Sequence, residues 1–352
     1  MRLITRRAFL GFLGSFWDSR HPSAAVREYR ASAQVRLFGM TLFSVQNVGG
    51  AKVSYESHWD NSGLWHQLSF AAGSDPARAR GLNRLGSIRE TVCWDSGEIL
   101  ATEYLGFMTA SREESLDEAR AALASASKAM APFVAIEGRC DQHSFRVASA
   151  AFLAPTPRDW SQYRLIEPLA AHACHCAPVV TQRPVSGAYA TFLYSLMQAI
   201  HDPQPSSLYA FSYSKDLYWL RADRAADAQT GRQLAARGLT AAPEKICRMS
   251  CKVRNQRTGN VSSFALWVEP GGACWLPLRF ECRPKSYLSL TFDALPTARP
   301  EEPVPETLAI RTSESCLVEG RAEAAVDSGG ESCYEFEGVF RGSRKLPLLP
   351  LP

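Results

Sequence analysis

The sequence predicts a mainly β protein built on an antiparallel curved sheet, or on a partly open barrel or sandwich, as one or as two related β domains. Three observations carry that expectation. Residues 246–293 alternate apolar and polar side chains with a period of two across several segments, the repeat of strands buried on one face. Short polar turns separate those segments, which suits antiparallel neighbours. The composition is that of a globular chain: 46% of the 352 residues are hydrophobic and 21% are charged.

The N-terminal stretch Thr5-Arg6-Arg7-Ala8-Phe9-Leu10 resembles the twin-arginine export motif. The apolar run Ala8–Trp17 that follows suits a signal and is too short to span a bilayer. Asp18, Arg20 and His21 interrupt it early, and Ser23-Ala24-Ala25 or Ala31-Ser32-Ala33 offers small residues for cleavage. Residues 1–33 are therefore expected to be an export signal, with a periplasmic or secreted destination. The alternative is an amphipathic helix at the start of a cytoplasmic protein. This segment carries six Arg against Asp18 and Glu28, so it accounts for the whole formal charge of +4. The remaining body is neutral, which argues against nucleic acid or an acidic membrane as partner.

Residues 34–185 are expected to form an N-terminal β-rich domain. Ala51–Glu56 alternates as a half-buried strand does, and Asp95-Ser96-Gly97 reads as the turn of a hairpin between Thr91–Trp94 and Ile99–Met108. Ser111 and Glu114 have the spacing of a capping box. Leu116, Ala119, Leu123 and Met130 then fall on one stripe, which predicts an amphipathic helix over 114–130. Arg164–Ala173 and Ala188–His201 are further helix candidates. The second is the most apolar segment, but Pro203 ends it short of membrane length, so it reads as core and no transmembrane span is expected.

Residues 186–295 are expected to be a meander domain. Cys247, Met249, Cys251 and Val253 share one strand face, Phe264–Val268 forms a central strand, and Leu276, Leu278, Phe280 and Cys282 share a face of the next. Leu288, Leu290 and Phe292 complete the set. Residues 296–306 form a Pro-rich linker, and residues 307–352 a C-terminal hairpin and tail. Cys247 and Cys251 would lie about 13 Å apart in a strand at roughly 3.3 Å per residue, too far for a disulfide. Cys316 and Cys333 flank a Gly-rich turn and are the one pairing the sequence suggests.

The segments Phe264–Glu269, Leu276–Phe280 and Tyr287–Phe292, with Tyr194–Met197 and Asp216–Trp219 upstream, resemble the bacterial exported-protein family called domain of unknown function 3108. The resemblance covers about residues 186–294. It implies a β-rich periplasmic domain and brings no catalytic residues.

One dense cluster of metal-ligand types occurs, at His172, Cys174, His175 and Cys176. Imidazole and thiolate suit zinc or copper, yet no second ligand pair stands at zinc-site spacing. No Gly-x-Ser-x-Gly elbow positions a serine nucleophile. Glu113-Glu114 and Glu301-Glu302 fit a helix start and a linker better than acid–base work. Residues 81–86, with Arg78, Arg80 and Arg89 around them, form a local basic patch. The eight spread aromatics Trp59, Trp65, Trp94, Trp160, Tyr218, Trp219, Trp267 and Trp275 fill either a core or a ligand-enclosing face. The resulting expectation is an exported, non-catalytic envelope protein that needs no cofactor and binds an apolar ligand or an envelope partner. The alternatives are an envelope hydrolase with a site built from distant residues, and a metal or redox protein using the 172–176 cluster.

Overall fold

The computed structural model describes residues 23–37, 40–79, 82–110, 117–184, 187–272, 274–285 and 287–296. Residues 1–22 of the expected export signal, the capping box at Ser111 and Glu114, most of the Pro-rich segment, and the C-terminal stretch with Cys316 and Cys333 lie outside them.

Fourteen strands make one sheet. The first half of the chain supplies β1 (Ala24–Leu37), β2 (Met40–Asp60), β3 (Gly63–Ser74), β4 (Leu85–Asp95), β5 (Glu98–Thr109), β6 (Met130–Asp141), β7 (Phe145–Pro155) and the short β8 (Val179–Gln182). The second half supplies β9 (Ser206–Tyr213), β10 (Asp216–Ala226), β11 (Cys247–Asn255), β12 (Val261–Val268), β13 (Arg279–Lys285) and β14 (Leu288–Ala294). Four helices are described: α1 (Asp117–Ser125), α2 (Tyr163–His175), α3 (Phe192–His201) and α4 (Ala228–Ala236). Each strand pairs antiparallel with its sequence neighbours, except that β8 and β9 are the two free ends. The sheet is continuous because β14 returns to β1, with Tyr29 opposite Ala294 and Val35 opposite Leu288. The stretches 34–185 and 186–295 thus contribute to the same sheet, and residues 24–33 belong to its central strand.

Alternation sets the two faces. Tyr29, Tyr55, Leu68, Ile88, Val92, Leu220, Met249, Cys251, Leu266 and Phe292 lie at inward positions along the registered strands and are buried. The Asp95–Glu98 hairpin forms as the sequence predicts. Ser96 at φ 50° and Gly97 at φ 92° give the left-handed pair that suits strand twist.

The concave face is filled by α3. Leu193, Tyr194, Met197, Ala199 and Ile200 pack into one cluster with Tyr55, Leu68, Ile88 and Val92 from one arm of the sheet and Phe211, Leu220, Met249 and Leu266 from the other. The preceding segment closes the gap between the arms: Ser212 N donates to Ala190 O, and Thr102 Oγ1 donates to Tyr189 O. On the convex side α2 covers Leu105, Phe107, Phe133, Ala135 and Ala148 through Ile166, Ala170 and Cys174. There α4 covers Ala265, Trp267 and Leu278 through Leu234.

Two sequence expectations change. The helix predicted over 114–130 ends at Ser125, and Met130 begins β6 instead. The row Leu276, Leu278, Phe280, Cys282 does not share a face. Leu276 joins the inner cluster around α3 whereas Leu278 lies under α4, because the chain enters β13 only at Arg279. No described helix is long and apolar enough to cross a membrane.

Candidate functional site

Three of the charged residues at positions that the alternation assigns to the core bear on the packing around α3. Glu90 sits between Ile88 and Val92 on β4, Arg224 follows Ala222 on β10, and Arg27 precedes Tyr29 on β1. All three work on backbone. Glu90 is 1% exposed, and its carboxylate accepts from Leu193 N at 3.0 Å and Tyr194 N at 3.1 Å, the orphan donors of the first turn of α3. At the other end of that helix, Arg224 Nη2 donates to Ala199 O and Ile200 O. An anion at the N-terminus and a cation at the C-terminus both complement the helix dipole. Arg27 donates to Leu276 O and Pro277 O, and Tyr29 Oη donates to Pro277 O at 2.8 Å, which pins the irregular segment before β13.

Beside α3 lies a cluster of rings. Tyr55 Oη stands 3.1 Å from His66 Nδ1, the His66 ring lies tilted against Tyr194 at 5.5 Å between ring centroids, and His201 lies 5.3 Å from Trp275. Burial dominates the acid–base behaviour here. It pushes Glu90 up to about 7 against the pull of the backbone N–H donors of α3, and it pushes His66 down to about 4, helped by His201. Glu90, His66 and Ser195 are each at most 2% exposed. Glu90 caps α3, and none of the three opens to solvent.

The His/Cys cluster is divided by its helix. At the end of α2, Cys174 turns into the convex-side core, where burial pushes its thiol up to about 12, while His172, His175 and Cys176 are exposed. One pair remains in contact, Cys176 Sγ and His172 Nε2 at 3.8 Å. Among the described residues no three His, Cys, Asp or Glu side chains converge as metal ligands. Burial also holds Cys251 at about 12 and Cys282 at about 11, so these thiols are protonated core residues and not nucleophiles. The basic patch is dispersed. Arg78 pairs with Asp75, Arg89 with Glu167 of α2 at 2.7 Å, and Arg84 Nη1 donates to Ala110 O.

A groove opens on the convex face where β1, β2 and β14 meet the end of α4. It is about 310 Å³ and is lined by Arg30, Ser32, Gln46, Asn47, Arg237 and Asp293. Asp293 takes Arg279 Nε on one oxygen at 2.5 Å and Arg237 Nη1 on the other at 2.9 Å. Nothing in the local sequence marks this groove, because its residues come from four separated segments. The inward charges, by contrast, had a signal: a Glu or Arg in the apolar phase of a strand.

The fold defines the class: an antiparallel β protein made of one open 14-stranded sheet wrapped on a central helix. Among solved structures the chain is similar to a β-barrel-like protein of domain of unknown function 1849 from Brucella abortus, at 8% identity and a TM-score of 0.37 over 77% of this chain and 98% of that one. That likeness bears on neither site nor role. No protein-family model matches the chain, and no curated protein is similar to it.

Proposed function

We propose that this is an exported, non-catalytic protein of the cell envelope that acts by binding at its outer surface and carries no ligand inside the sheet. The observation that supports this most is the packing of α3. The concavity where an apolar ligand would sit holds Leu193, Tyr194, Met197 and Ile200, and the titratable groups beside them cap that helix. The envelope destination rests on the twin-arginine resemblance of residues 5–10 and on the resemblance of about residues 186–294 to an exported family.

The same sheet sets where a signal would be cut. Cleavage at Ala31-Ser32-Ala33 would remove Tyr29 and Ala31, both buried against β2 and β14, whereas cleavage near Ser23-Ala24-Ala25 leaves the strand largely whole. Expression in a bacterial host with a twin-arginine pathway, followed by fractionation and N-terminal sequencing, tests the reading. The expected product is periplasmic and begins no later than Val26. Retention in the cytoplasm with an intact N-terminus would overturn export. Native mass spectrometry of the purified chain is expected to show the bare polypeptide mass; a stoichiometric apolar adduct would overturn the filled interior.

A further inference from the structure

The convex groove has the chemistry of an anion site. Three guanidiniums, Arg30, Arg237 and Arg279, stand around one carboxylate, Asp293. Both oxygens of that carboxylate are occupied by Arg237 and Arg279, so Arg30 lines the groove with no anionic partner among the described residues. Its cross-strand neighbour is Asp293 itself, yet the two do not meet as an ion pair. Of the other acids on this face, Glu28 is engaged by Lys52 at 3.5 Å, and Glu281 accepts from Ser289 Oγ at 2.9 Å.

Backbone geometry supports the same reading. Between Ala31 and Ala33 the pairing of β1 with β2 skips from Gly49 to Val45, so Gln46, Asn47 and Val48 bulge opposite Ser32. Such irregularities commonly aim side chains at a site. Asn47 sits at φ 60°, a left-handed conformation that costs a non-glycine residue energy and is retained here by a residue with a polar side chain at the groove. Ser32, buried though polar, donates its hydroxyl to Gln46 Oε1 at 2.5 Å, and Gln46 Nε2 donates to Ser44 Oγ at 3.4 Å, so the amide is held at both ends with one N–H left over. The lining is therefore rich in donors, with the amides of Gln46 and Asn47 and the guanidiniums of Arg30 and Arg237.

We propose that this groove binds a phosphate ester, with Arg30 and Arg237 gripping the phosphate from opposite sides and Gln46 and Asn47 donating to its remaining oxygens. A phosphomonoester carries roughly −1.5 to −2 charge, which matches three guanidiniums set against one carboxylate. The planar guanidinium fork suits phosphate oxygens two at a time. A volume of about 310 Å³ admits a headgroup-sized ligand. The inference deepens the surface-binding reading by naming a ligand class, and it does not depend on export.

Calorimetric titration of the whole chain with inorganic phosphate and with glycerol 3-phosphate tests it, beside sedimentation with phosphatidylcholine vesicles made with or without phosphatidic acid. Saturable binding of the soluble probes supports the site with a free phosphate ester as ligand. Binding to phosphatidic-acid vesicles alone supports it with a lipid headgroup as the source. In either case Arg30→Ala is expected to weaken binding about 10-fold or more, the size of one lost charged hydrogen-bonding partner. Arg30 has no side-chain hydrogen bond or ion pair among the described residues, so this variant is expected to keep its unfolding midpoint. Asn47→Gly, which relieves the backbone and removes one donor, is expected to weaken binding without lowering stability. Absence of binding in every arm, or equal binding by wild type and Arg30→Ala, overturns the proposal. That failure leaves fractionation and native mass spectrometry to judge surface binding at the envelope separately.

Discussion

Two buried residues give this protein an unusual dependence on pH. Burial places Glu90 at about 7 against an ordinary 4.5, so between those values the folded chain keeps a proton that the unfolded chain has lost. Stability from this group therefore falls as pH rises through that window, by about 3 kcal/mol in all. His66 has the opposite sign: its folded value of about 4 lies below the ordinary 6.5, so stability is lost as pH falls from 6.5 towards 4, again by about 3 kcal/mol. From about 4.5 to 6.5 the two slopes oppose each other. Glu90→Gln is expected to gain stability relative to wild type between pH 5 and pH 8, read by denaturant unfolding at both; a difference independent of pH would contradict the buried acid. His66→Gln is expected to gain relative to wild type as pH is lowered from 7 to 4.5, and an unchanged difference would show that His66 titrates in the fold as it does in the unfolded chain. Both residues were visible in the sequence as polar residues at apolar strand positions. Their task as helix supports was not, because α3 lies a hundred residues downstream of Glu90.

The elements were legible where one face is polar and hidden where both are covered. Strand 247–255 follows the alternation because its inner side chains join the cluster around α3, whereas 261–268 ends in a continuous buried run with α3 on one face and α4 on the other. Leu276 and Leu278 misled the phase: both are apolar and buried, but against different helices, and hydrophobicity records burial without recording the side. Met130 misled the length of α1, since an apolar residue at helical spacing serves equally well as the first residue of β6. Glycines mark close approaches that no pattern shows. A Cβ at Gly138 on β6 would lie 2.2 Å from the Tyr104 ring, whose hydroxyl accepts from Ser214 N at 2.7 Å and so joins β5 to the β9–β10 turn. A Cβ at Gly86 would meet nothing nearer than 3.6 Å. Gly138→Ala is expected to cost about 1–3 kcal/mol or more by overpacking and Gly86→Ala less than about 1 kcal/mol, compared by thermal unfolding. Equal effects would mean that the Tyr104 ring does not lie against Gly138 as described.

At the scale of the molecule, both ends of the described chain meet in the middle of the sheet while the sheet's own edges, β8 and β9, fall mid-sequence. That arrangement hides from a linear reading, which divides the chain at residue 185 into two domains when the strands on either side of that point belong to one sheet. What makes one body of it is the central helix, which both arms cover and which Glu90 and Arg224 hold at its two ends. Amide hydrogen exchange of α3 tests this most directly. The backbone N–H groups of residues 196–200 are expected to exchange only through global unfolding, with the same opening free energy as central strands β1 and β14. Exchange of that helix orders of magnitude faster than those strands would show an open concavity and contradict the account.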